Sequence, residues 1–196
     1  MGLTAVPADH VAAIVTSLEM VTRPLPKPVP AAPLKLVRWP NPDAAKYRAL
    51  FGRVGAPWLW FSRAILDDCA LLVIIGDPQV EVYAVTDPSG IEVGIVELDF
   101  REAGQAEISF FGLVPELAGK GFGRWLMAET LARAWRKDVN RVWVHTCTLD
   151  APGALGFYRA QGFVPYQRQI ETFADPRLTG ALPFDAAPQI PLLTRR

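Results

Sequence analysis

The chain has 196 residues, 51% of them hydrophobic and 20% charged, with 20 basic side chains set against 20 acidic ones. That length allows one domain, or one domain with an appendage, with ample apolar residue for a core. High hydrophobicity at zero net charge excludes a disordered chain, and the missing basic excess argues against a nucleic-acid partner.

In chain order, residues 11–21 read as a strand or a short helix, and β-branched Val11, Ile14, Val15 and Thr16 lean towards strand. Residues 24–33 alternate proline with apolar residues and run extended, because proline fixes φ and removes a donor. From Asp43 to Val54 the positions Ala44, Tyr47, Leu50, Phe51 and Val54 recur at helical spacing. Pro42 and Asp43 start that helix, and Gly55 with Pro57 stops it. A second helix is predicted over 67–75. Strands follow over 80–86 and 91–100, joined by the turn Asp87–Gly90, and a third covers 106–114. Next come a glycine-rich turn, an apolar helix over 121–135 and a strand over 141–148. Asp150 is expected to N-cap a helix with Pro152 in its first turn, ended by a left-handed Gly162. A last strand covers 163–173. This order indicates a mixed α/β sheet.

Cys69, Cys147, His10 and His145 are too few and too scattered for a structural zinc site, so no metal is expected. Two unpaired thiols fit a reducing compartment. The opening residues lack the basic start of a secretory leader, and the longest apolar runs, such as Ala70–Ile75, are far short of a bilayer span. The expectation is a cytoplasmic protein with no membrane partner.

The sharpest local feature is the turn Pro115-Glu116-Leu117-Ala118-Gly119-Lys120-Gly121-Phe122-Gly123-Arg124, between a strand and a helix. A helix N-terminus offers unpaired N–H groups and a positive dipole end, which suit an anion. Glycines remove side chains that would hold a pyrophosphate away, and Lys120 and Arg124 add charge. A Walker loop fails because Gly121 follows Lys120, and a dinucleotide fingerprint fails at Arg124. On the turn alone, an anion site and a tight turn that uses glycine for its dihedrals stand level.

A second segment, Ala154-Leu155-Gly156-Phe157-Tyr158-Arg159-Ala160-Gln161-Gly162-Phe163, follows one helix and one strand later. Together the two motifs resemble the GNAT superfamily of acyl-CoA-dependent N-acyltransferases. That family's turn reads Arg/Gln-x-x-Gly-x-Gly/Ala, matched by Ala118–Gly123 except at the first place. Its next motif sets a Tyr four residues after a helical Ala, then Gly-Phe, as Ala154, Tyr158 and Gly162-Phe163 do here. The resemblance covers roughly residues 80–170. It implies a GNAT-type, mostly antiparallel central sheet with helices on both faces, built from residues 34–173. Residues 1–33 form an N-terminal extension, and 174–196 a proline-containing tail. Much of the proline lies in these arms, which are expected to wrap the core and shape specificity.

The resemblance also implies roles. Acetyl-CoA is the co-substrate, its pyrophosphate held by backbone N–H groups from Ala118 through Gly123, with Lys120, Phe122 and Arg124 part of that binding segment. The strand around Phe111 and Leu113 would pair with the pantetheine amides, with Gly112 easing a local distortion. Tyr158 would protonate the departing thiolate. The plain alternative for Tyr158 is an amphipathic core tyrosine. Ala118 replaces the usual anchoring side chain, and Ala151 stands where the family often has Asn.

The attacking amine must lose a proton. Glu107 is the first candidate base. By alternation it shares a face with Ser109, Phe111 and Leu113, unless a bulge intervenes. A solvent-exposed strand-edge glutamate is the other reading. Glu97 and Asp99 compete from the preceding strand, and His145 ranks third. Cys147 reads as a small buried hydrophobe. On the acceptor side, Trp58 and Trp60 form either an aromatic wall or fasteners for the helical flap, and Arg63 is available for a carboxylate. The expected activity is N-acetyl transfer to a small amine or an exposed amino group. A non-catalytic acyl-CoA sensor and a longer-chain acyltransferase are the alternatives. A homodimer is compatible with the sequence, and the acceptor stays open because one fold serves many substrates.

Overall fold

The computed structural model describes residues 2–25 and 28–193. Residue 1, two positions of the proline-rich stretch 24–33 and residues 194–196 of the expected tail lie outside the described residues. Among those described, seven strands and four α-helices follow one another. They are β1 (His10–Met20), β2 (Lys35–Trp39), α1 (Ala44–Gly55), α2 (Asp68–Ile75), β3 (Val80–Thr86), β4 (Glu92–Asp99), β5 (Gln105–Leu113), α3 (Phe122–Ala134), β6 (Arg141–Cys147), α4 (Ala154–Ala160) and β7 (Val164–Ala174).

α1 and α2 start where short acidic side chains satisfy open N–H groups. Asp43 accepts from Lys46 N ahead of α1, and Asp67 accepts from Ala70 N ahead of α2. Tyr47, Leu50, Phe51 and Val54 then turn one buried stripe of α1 onto the sheet. Asp150 caps nothing, contrary to expectation. Gly153 precedes α4 with no side-chain cap, and Asp150 turns back onto β6 instead. Pro152 accordingly lies in the turn before the helix. Gly162 has φ +103°, the left-handed stop expected.

The sheet runs β2-β3-β4-β5-β6-β1-β7. Only β5 and β6 are parallel, and every other neighbour pair is antiparallel. Helices cover both faces, as expected. Cross-strand partners share a face, so Val82, Glu97 and Phe110 belong to one side, packed by α1, while Tyr83, Val96 and Phe111 belong to the other. On the second face Arg133 of α3 lies over Tyr83, and Phe157 of α4 stacks on Phe111. β2 had no clear sequence signal, being a short edge strand with Lys35, Val37 and Arg38 exposed. Residues 10–20, expected within an extension, form β1 between β6 and β7.

A second apolar cluster gathers Val11, Leu59, Leu182 and Ala187 away from the main core. Leu59 adopts φ +55°, a left-handed conformation that costs a branched residue about 1–2 kcal/mol. Burial of its side chain to 2% exposure returns roughly 2 kcal/mol. No helix among the described residues is long and apolar enough to cross a membrane.

Candidate active site

β5 and β6 pair only over Gln105–Ile108 and Arg141–Val144. Beyond that point Phe110–Leu113 pairs with β4 alone and His145–Cys147 with β1 alone. The sheet therefore opens into a wedge, and a cleft of about 760 Å³ runs through it. Because the wedge pierces the sheet, residues from both faces line one cavity: Glu107 and His145 from one side, Phe111, Phe157 and Tyr158 from the other.

The register shift that helps open it lies at Ser109. Glu97 faces Phe110 and Leu98 faces Ile108, leaving Ser109 without a partner on β4. This bulge breaks the alternation assumed from sequence. Glu107 shares a face with Phe110 and Gly112, and Phe111 and Leu113 point the other way. Gly112 is needed for a different reason from the one expected. A Cβ there would sit 2.6 Å from Val54 Cγ1 and 3.3 Å from the Trp60 ring, so its place depends on close approach and not on strand distortion.

At one end of the cleft lies the glycine turn. A 3₁₀ turn over Pro115–Leu117 leads into Gly119 and Gly121, with φ +74° and +81°. The Ala118 N–H, expected to face a pyrophosphate, donates instead to Pro115 O at 2.9 Å. The N–H groups of Gly119, Lys120, Gly121, Phe122 and Gly123 have no protein acceptor among the described residues. Five adjacent open donors at the start of α3 make a concavity suited to phosphate oxygens. Ala118, Gly119, Gly121 and Gly123 line the cleft, while Lys120 and Arg124 stand exposed beside it and Phe122 packs towards the core.

Tyr158 lines the same cleft as the glycine turn, Glu107 and His145. It is 7% exposed, edge-on to Phe163 and against Phe111, and its hydroxyl takes no hydrogen bond among the described residues. Burial, with some help from Asp150, holds the phenol well above its ordinary value, so it is a neutral donor at physiological pH.

The candidate bases fare differently. Glu97 is fully buried and absent from the lining. One oxygen accepts the Tyr47 hydroxyl at 2.6 Å and the other accepts Arg63 Nη2 at 2.6 Å. Burial works against the Arg63 charge, and Glu97 more than offsets it. Arg63 also lies over the Phe110 ring at 5.1 Å. Asp99 lines the cleft but is held by Arg101; burial pushes its carboxyl up, yet the Arg101 hydrogen bonds leave it below its ordinary value.

Glu107 and His145 come together, with Nδ1 of His145 at 3.6 Å from Glu107 Oε1. The carboxylate raises the imidazole above its ordinary value against the opposing effect of burial. Cys147 borders the cleft half-buried, and burial with Asp150 pushes its thiol up to about 11. It is thus no ready nucleophile.

Two cleft residues had no part in the sequence reading of the site. Asp150 accepts from Thr146 Oγ1 at 2.7 Å, Cys147 N at 2.9 Å and Trp60 Nε1 at 3.2 Å. It thereby ties the end of β6 to the loop after α1. Glu171 of β7 also faces the cleft; its alternation with Phe173 was the available signal. Trp58, Trp60 and Arg63 all line the cleft. Trp60 is both wall and fastener, packed on Phe51 and Phe110 at 5.7 and 5.2 Å.

Residues 57–163, more than half of the chain, match the model of the acetyltransferase (GNAT) family. No curated protein matches the sequence. Among solved structures, a GCN5-related N-acetyltransferase from Sphaerobacter thermophilus superposes with TM-score 0.61 at 22% identity, over 83% of this chain and 51% of that one. A tandem GNAT protein from the clavulanic acid biosynthesis pathway gives 0.59 at 20%, over 83% and 53%. An aminoglycoside acetyltransferase from an uncultured soil metagenomic sample, in complex with sisomicin, gives 0.54 at 21%, over 66% and 88%. The chain thus spans about half the length of the first two.

Proposed function

The chain belongs to the GNAT family of acetyltransferases, and from that premise we propose that it transfers an acetyl group from acetyl-CoA to a primary amine by direct attack. The observation that carries this reading is the wedge between β5 and β6, which places the open-donor turn, the Tyr158 hydroxyl and the Glu107–His145 pair along one cleft.

The residues fit the co-substrate. N–H groups of Gly119–Gly123 would hold the pyrophosphate, and the free edge of β5 around Phe111 and Leu113 would take the pantetheine amides. When bound, acetyl-CoA supplies a thioester carbonyl as the electrophile. Glu107 would take the ammonium proton, with His145 Nδ1 beside its carboxylate at 3.6 Å. Tyr158 gives its proton to the sulfur as the C–S bond breaks. Proximity in the wedge supplies the rest.

Release of CoA, followed across a panel of small amines and amino-terminated peptides, tests the reading. Turnover with at least one amine supports it. If neither CoA nor any acyl-CoA binds in calorimetry, the proposal fails.

A further inference from the structure

We propose that the segment 175–190 is a clamp that holds the loop 56–63 in place and so sets which amine the cleft accepts. The word acceptor rests on the acyl-transfer reading; the clamp itself does not.

The segment follows β7 and lies beyond the residues that match the family model. Its centre is Arg177, whose side chain is 2% exposed. The guanidinium forks onto both carboxylate oxygens of Asp175, at 2.9 and 2.7 Å. Its remaining nitrogen donates to the carbonyls of Ile190 at 2.9 Å and of Ala186 and Ala187 at 3.3 Å. A buried guanidinium is tolerated only when its donors are met, so this set of bonds folds the segment into a closed lobe.

The lobe grips the loop at two points, and β7 adds a third contact just before it. Leu182 and Ala187 bury against Leu59 and Val11. Gln189 Nε2 donates to Pro57 O at 2.6 Å. Phe61 stacks on Phe173, just before the lobe begins, with centroids 4.5 Å apart. The left-handed φ of Leu59 is held by this burial. The same loop presents Trp60 to Asp150 and Arg63 to Glu97 on its inner side. Moving the outer grip therefore moves the acceptor wall, while no hydrogen bond joins the glycine turn to the lobe among the described residues.

Gln189→Ala and Leu182→Ala test the clamp, each first checked for native circular dichroism. Hydrogen exchange should speed up at the Leu59 and Trp60 amides, which bond to Ala56 O and Gly55 O, and stay unchanged across residues 119–123. With an amine that turns over, the KM for that amine should rise about tenfold, with kcat and the KM for acetyl-CoA held within about twofold. Unchanged exchange in 56–63 in both variants overturns the clamp. Faster exchange with an unaltered ranking across the amine panel overturns its role in selectivity. If no amine turns over in the wild type, the acyl-transfer reading fails and exchange alone decides the clamp.

Discussion

Nδ1 of His145, one residue past the last rung that joins β5 to β6, lies 3.6 Å from Oε1 of Glu107 inside the paired stretch. The carboxylate raises the imidazole above its ordinary 6.5, so the pair is most favourable when His145 is charged. In Glu107→Gln the imidazole should titrate lower, read from its ring-proton NMR shifts. The sign for stability follows. The His145 contribution is complete below pH 6.5 and fades as pH rises through the raised value. The melting-temperature gap between wild type and variant should be wider at about pH 5.5 than at about pH 8.5. An imidazole that titrates identically in both proteins would remove the coupling.

Tyr158→Phe removes a hydroxyl that no group among the described residues holds. The melting temperature should hold, and kcat for CoA release should fall about 100-fold with little change in the KM for acetyl-CoA. An unchanged kcat, with chemistry limiting, would take Tyr158 out of the acid role.

Gly119 stands in open space at φ +74°, so Gly119→Ala meets no neighbour but must strain or rotate the turn. We expect a loss of about 1 kcal/mol in stability and about tenfold in CoA affinity by calorimetry. Gly156 also has nothing within 4 Å, but it lies inside α4. Gly156→Ala should stabilise by about 0.5–1 kcal/mol in urea unfolding. Equal effects of the two changes would contradict the assignment of the turn.

Arg63→Met strands the Glu97 carboxylate in the core with only the Tyr47 hydroxyl. Breaking a buried pair in this way costs about 3 kcal/mol or more, measurable by urea titration. The double change Arg63→Met with Glu97→Gln should recover much of that loss. A double variant as unstable as the single would show that the penalty is packing and not charge.

Much of the fold was legible because its signals are local. The stripe Tyr47–Leu50–Phe51–Val54, the Asp43 cap, the Asp87–Gly90 turn and the Gly162 stop each act within a few residues, and the structure keeps them. β2 escaped because five residues with polar, exposed positions carry little periodicity. Asp150 misled for the opposite reason. A short acidic residue before a helix is a good cap by type, but its carboxylate found the end of β6 and the Trp60 indole at longer range.

By itself the sequence determined the family and the two motifs, because an open glycine turn and a tyrosine helix depend on residue type at fixed spacing. It could not determine which carboxylate is free. Glu97, Asp99 and Glu107 look alike along their strands, and only the fold shows the first held by Tyr47 and Arg63, the second by Arg101 and the third beside His145. The unpartnered Ser109 turns Phe111 away from Glu107, and a one-residue slip of that kind is invisible until β4 is in register. The balance of 20 charges against 20 is likewise a property of composition. Where those charges cancel was decided largely by tertiary contacts, which pair Arg63 with Glu97 in the interior and leave the donors of the turn open.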